Sequence, residues 1–237
     1  MIALLYKIKP VSIGSLEHII PIVLAFILGS LLIRFSKKRL NTKHQELLFH
    51  ALGIFVSLTV FLYHLNLIIK GNYSLITDLP LFLCSFIALF IFVFTHYKKY
   101  WMYEILLFWI IAGTSQGVIT PDIPEGFPVL DYFRYWIVHL GLLIIIFYAT
   151  FVFKMQPTIK SLFKSFLAIH IYMLIVFGIN YLLGSNYSYL NSKPLSASVL
   201  DYLGDWPNYI FVVEAFLIPY FLIIYLPFYI SRKLQLK

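Results

Sequence analysis

Of the 237 residues only one is a cysteine, Cys84, and only 12% are charged. A single thiol leaves no internal disulfide and no cysteine-based metal cluster. So few charges cannot coat a soluble globule that is 61% hydrophobic and 19% aromatic, which makes the chain an integral membrane protein. Acidic side chains are scarcest, 10 against 18 Lys and Arg, for a formal charge of +8. Those basic residues lie in short connections between apolar runs, so the surplus is a topology signal and no nucleic-acid partner is expected. An HExxH zinc motif, a Gly-rich phosphate loop and a serine elbow are all missing, and neither metal nor cofactor is expected. The last apolar run holds no lysine before Lys233, which excludes a retinal Schiff base. Paired broken helices of the inverted-repeat transporter type are not visible either.

What is present is apolar sequence in runs long enough to cross about 30 Å of hydrocarbon, a distance that takes roughly 20 helical residues. Seven spans are predicted, at 16–34, 47–69, 79–96, 101–120, 132–153, 162–184 and 207–230. Their unbroken hydrophobicity points to helices, since a membrane barrel would alternate polar and apolar positions. The first run follows Lys7 and Lys9 and continues without a small-residue cleavage site, so it is expected to be a span and not a removed signal.

Thirteen of the 18 basic residues fall in alternate connections: Arg34, Lys37, Lys38, Arg39 and Lys43; Lys98 and Lys99; Lys154, Lys160 and Lys164; Arg232, Lys233 and Lys237. The other connections carry Asp78, Asp122, Glu125, Asp131, Asp201 and Asp205. The positive-inside rule therefore places the N-terminus outside and the C-terminus in the cytoplasm. The expected fold is all-α, one polytopic seven-helix domain over 1–237, in the cell membrane.

At about 1.5 Å per residue, Cys84, His139 and Glu214 should lie roughly 7 to 11 Å below the outer boundary. His18, His64, Asn66, Gln116 and Asn180 fall in the same half, against mainly His170 in the cytoplasmic half. Polar groups in lipid usually face the bundle interior or a wet cavity, so the gathering suggests a site towards the outer face. The plain alternative is helix-helix glue.

A thiolate is a strong nucleophile, but apolar burial silences the thiol unless a base or positive charge is near. With a helix starting at Leu79, Cys84 stands more than one turn in, and the helix dipole should help little. His139, a lone imidazole in YWIVHLGLLIII at matching depth, is the expected base. Taken alone, a buried Cys is most often a small hydrophobe. In GTSQGVITPD, Gly113 and Gly117 permit close helix approach, Gln116 has an amide that can donate to an oxyanion, and Asp122 can cap or orient. Glu214 is a candidate to orient His139 or to pair with His18 or His64. The connection from Gly184 to Trp206 is long enough to form a lid, although a belt of interfacial Tyr and Trp would look similar.

In order and spacing, LPLFLCS, GTSQGVITPDIPEGFP, FRYWIVHLG, GINYLLGSNYSYLNSKP and LGDWPNYI resemble the bacterial YwaF-like membrane proteins and their animal relative, the transmembrane protein 164 family. The similarity covers about residues 45–230. The resemblance implies a cysteine-dependent phospholipid acyltransferase, with Cys84 as the acyl-accepting nucleophile, His139 as the base, and phospholipid and lysophospholipid as partners. At Phe82 many relatives carry His, so any role for that position is lost here. Water intercepting the thioester would give a lipid hydrolase. A reading from another class is a non-catalytic seven-helix binder or transporter of a small ligand, in which Cys84 would be replaceable.

Overall fold

The computed structural model describes residues 9–194 and 198–235. Lys7, Lys237 and positions 195–197 of the last outer connection lie outside the described residues. Six helical stretches are long and apolar enough to cross a membrane, and a seventh apolar helix is shorter. In chain order they are α1 (Leu16–Arg39), α2 (Thr42–Ile69), α3 (Leu83–Tyr97), α4 (Tyr100–Trp109) running through a π-helical stretch Ile110–Thr114 into α5 (Ser115–Ile119), α6 (Leu130–Phe151), α7 (Ile159–Leu183) and α8 (Asn208–Gln235). No strand occurs among the described residues.

Local chemistry fixes the ends. Ser15 accepts a hydrogen bond from the His18 N–H to cap α1, and Lys37, Lys38 and Arg39 occupy its last turn, where cations suit the helix dipole. Asn41 caps α2 and Thr158 with Ser161 forms a capping box on α7. Lys98, at φ 49°, takes the left-handed conformation that ends α3 and turns the chain into α4.

The predicted alternation of ends is present in the bonding. At one end Val11 N–H donates to Ile123 O at 3.0 Å, Gly126 N–H to Lys9 O at 2.9 Å, and Leu79 N–H to the Tyr187 hydroxyl at 2.9 Å. At the other, Gln45 donates to Ser36 O at 3.0 Å, Tyr100 to Gln156 O at 2.8 Å, and Arg232 to Pro157 O at 2.7 Å. Lys98 pairs with Glu46 at that same end.

The centre is built from α4, the π stretch and α6, where Leu107, Phe108, Ile110, Leu142, Ile145 and Ile146 are fully buried. Near the basic end, buried Glu104 takes a hydrogen bond from Ser161 and an ion pair from Lys164, both at 2.6 Å, clamping α4 to α7. Gly53 meets Thr95 and Gly141 meets Val56, so glycines let α2 approach α3 and α6 closely.

One boundary differs from the sequence expectation in a way that matters. The third span does not become helical at Leu79. Pro80 interrupts, Leu81 N–H turns back onto Leu79 O at 2.7 Å, Phe82 is extended (φ −69°, ψ 135°), and α3 starts at Leu83. Its 15 residues rise only about 22 Å, less than the hydrocarbon thickness.

Candidate functional site

Because α3 begins at Leu83, Cys84 is its second residue, not one buried more than a turn inside. The N-cap is Phe82, whose side chain offers no cap hydrogen bond. The first-turn N–H groups of a helix have no partner within the helix, and together with the dipole they make its N-terminus favourable for negative charge. The thiol therefore stands at the electropositive end of its helix, half-buried.

The segments packed against the start of α3 carry hydroxyl side chains. Thr114, the last residue of the π stretch, is fully buried and its hydroxyl meets no hydrogen-bond partner among the described residues. The phenols of Tyr135, Tyr172 and Tyr189 lie within electrostatic reach of the sulfur. Tyr172 donates to Leu81 O at 2.9 Å and Ser188 to the same oxygen at 3.1 Å, which holds the non-helical lead-in to α3. Tyr189 donates to the Asp122 carboxylate at 2.8 Å, and burial followed by that carboxylate raises its phenol above the ordinary range, keeping it protonated.

His139 packs on Tyr135. The two rings stack at 4.0 Å, and His139 Nδ1 is 2.8 Å from Tyr135 O. A carbonyl only accepts, so Nδ1 carries the proton and the neutral imidazole presents its lone pair at Nε2. Tyr135 in turn donates to Gly117 O at 2.8 Å and accepts from Asp122 N–H at 3.2 Å. No hydrogen bond joins Cys84 to His139.

The two glycines of GTSQG make this assembly possible. A Cβ at Gly113 would stand 2.9 Å from Leu83, and one at Gly117 would stand 2.5 Å from His139 Nε2. The segment thus seats the start of α3 on one glycine and the imidazole on the other. A π-helical insertion, which is rare and frequent at functional sites, runs through the same segment.

The other expected residues have different places. Gln116 donates to the Tyr220 hydroxyl of α8 at 3.3 Å. His18 accepts from Gly14 N–H at 2.9 Å and donates to Val118 O at 2.8 Å, so both ring nitrogens are committed to packing α1. Asn180, buried, donates to Tyr187 O at 2.9 Å and accepts from Ser185 and Tyr187 N–H at 2.8 Å, organising the last outer loop. Trp206 donates to Leu190 O at 3.0 Å within that loop. His64 lies beside Tyr63 and Tyr73 with neither ring nitrogen hydrogen-bonded among the described residues. Glu214 pairs with His170 of α7 at 2.6 Å, and not with His139, His18 or His64. His170 Nδ1 also meets Phe166 O at 2.7 Å, so both of its ring nitrogens face acceptors.

Thr114, Tyr135, Tyr172 and Tyr189 were not legible as site residues, because nothing distinguishes them among 18 tyrosines and scattered hydroxyls. Among the described residues no three of His, Cys, Asp and Glu gather to hold a metal ion. A groove of about 700 Å³ opens elsewhere, between α1 and α6, and none of the residues around Cys84 lines it.

No curated protein and no solved structure matches the chain. A family model described as the TMEM164 family matches residues 13–225, which takes in α1 through α7, the first part of α8 and the residues around Cys84. The chain belongs to the TMEM164 family.

Proposed function

We propose that the protein is a cysteine-dependent acyltransferase of the cell membrane, akin to the YwaF-like proteins, that moves an acyl chain from a phospholipid to a lysophospholipid. The observation that carries the reading is the place of Cys84 at the uncapped N-terminus of α3. The Cys84 thiolate attacks the ester carbonyl, and the free first-turn N–H groups of α3 receive the oxyanion. This replaces the expected role of Gln116, whose amide is turned to Tyr220. His139 holds the thiol proton at Nε2 and returns it to the departing lysophospholipid oxygen, leaving a thioester on Cys84. A second lysophospholipid hydroxyl attacks the thioester, gives its proton to His139, and restores the thiolate. Catalytic hydrogen bonds often tighten only with substrate in place, which accommodates the missing Cys84–His139 bond in the resting arrangement.

The test supplies purified protein in nanodiscs with a labelled phospholipid and an unlabelled lysophospholipid acceptor. The account expects labelled chains on the acceptor from the wild type, and none from Cys84→Ala. Free fatty acid in place of acylated acceptor would identify a hydrolase acting through the same thioester. Unchanged turnover in Cys84→Ala would end the covalent reading and leave a binder or transporter.

A further inference from the structure

The α1–α6 groove is independent of the chemistry at Cys84. Helix α1 buries only His18, Gly29 and Ser36. These touch at three points: His18 on Val118 O and the Trp136 ring, Gly29 against Ile144, and Ser36 Oγ against the Tyr148 hydroxyl at 2.5 Å. Along the adjacent stripe the two helices part. Ile22, Ala25, Phe26 and Ile33 of α1 face Ile144 and Phe147 of α6 across the gap, and the walls are almost wholly apolar. At one end the stripe continues into Arg34 and, about one helical turn on, Lys37 and Lys38, all of which line the same groove.

From Ile22 to Arg34 the groove extends about 18 Å, more than half of the roughly 30 Å hydrocarbon thickness. Its 700 Å³ lies within the roughly 300 to 1,000 Å³ typical of small-ligand sites. Among the described residues none of the three cations forms a salt bridge. Apolar walls one leaflet deep, closed at the membrane surface by three unpaired cations, have the shape and charge of one ligand class. We propose that this groove binds an anionic phospholipid of the cytoplasmic leaflet, its phosphate on Arg34, Lys37 and Lys38 and an acyl chain between α1 and α6. The basic residues next in sequence, Arg39 and Lys43, do not line the groove and supply the control.

Native mass spectrometry of the full-length protein in detergent, titrated with phosphatidylglycerol or phosphatidylcholine, tests this. The wild type should retain one phosphatidylglycerol about tenfold more strongly than phosphatidylcholine, with the preference falling as salt rises. Arg34→Gln/Lys37→Gln/Lys38→Gln should abolish the preference, while Arg39→Gln/Lys43→Gln should keep it. Ala25→Trp, which fills the gap and leaves the charges, should weaken binding of both lipids. Equal retention of the two lipids by the wild type would reduce the groove to ordinary annular contact. Equal loss in the two charge variants would show a diffuse surface field and would also overturn the proposal.

Discussion

His139 donates from Nδ1 to the backbone oxygen of Tyr135, 2.8 Å away, while its ring stacks on the ring of the same residue at 4.0 Å. One tyrosine thus sets both the tautomer and the tilt of the imidazole. Replacing His139 by Ala removes the proton acceptor, and the expected loss of acyl transfer is about 10²- to 10⁴-fold. Tyr135→Phe keeps the stack and the backbone acceptor but removes the hydroxyl that ties α6 to Gly117 O and Asp122 N–H. Its rate should fall by about tenfold while the helical circular dichroism stays unchanged. A Tyr135→Phe variant with full activity would show that this anchor does not position the base.

Gly117→Ala is the sharper steric probe. The added Cβ would stand 2.5 Å from His139 Nε2, closer than real contacts allow, and 3.0 Å from the Tyr135 hydroxyl, so the imidazole must move. A displacement of about 1 Å at a catalytic group costs on the order of 10² in rate. Gly178→Ala serves as the control, because a Cβ there meets nothing within 4 Å. The measurement is turnover of both variants at matched expression, and equal rates would contradict the account.

The last outer loop acts on the site through the lead-in to α3. Tyr187 receives Leu79 N–H and donates to Leu75 O, and Ser188 donates to Leu81 O. Asn180 holds this loop by three hydrogen bonds in a buried setting. Asn180→Ala leaves Tyr187 N–H and O without their partner and should destabilise the protein by about 1 to 3 kcal/mol. Thermal unfolding in detergent measures the loss. Activity should fall at temperatures well below the unfolding midpoint, because the start of α3 loosens first.

How much of this was legible beforehand depended on which physical signal each feature sends. The spans over α1, α2 and α4 through α8 follow from hydrophobic length, and the alternation of ends follows from the positions of Arg34 to Lys43 and Lys154 to Lys164. The start of α3 does not, because Leu79 to Phe82 is as apolar as the helix after it, and hydropathy cannot tell a bent, non-helical lead-in from a helical turn. Pro80 was the local clue, since the residue before a proline avoids the helical region. That one boundary moves Cys84 from a silenced interior position to the helix end. The pairing of Glu214 with His170 was hidden because counting residues from each helix end placed the two in opposite halves of the membrane, and the contact overturns that depth count. His18 and Asn180 shared the outer half with the candidate site, yet packing and loop bonding consume their polar atoms.

The most direct measurement is trapping of an acyl-enzyme. Nanodisc-embedded protein is incubated with a phospholipid carrying a clickable acyl chain, and label on the protein is read before and after hydroxylamine, with wild type beside Cys84→Ala. The account predicts hydroxylamine-sensitive label on the wild type, absent from Cys84→Ala and accumulating when lysophospholipid acceptor is withheld. Label that persists in Cys84→Ala, or none on a wild type that turns over lipid, would contradict a thioester at Cys84.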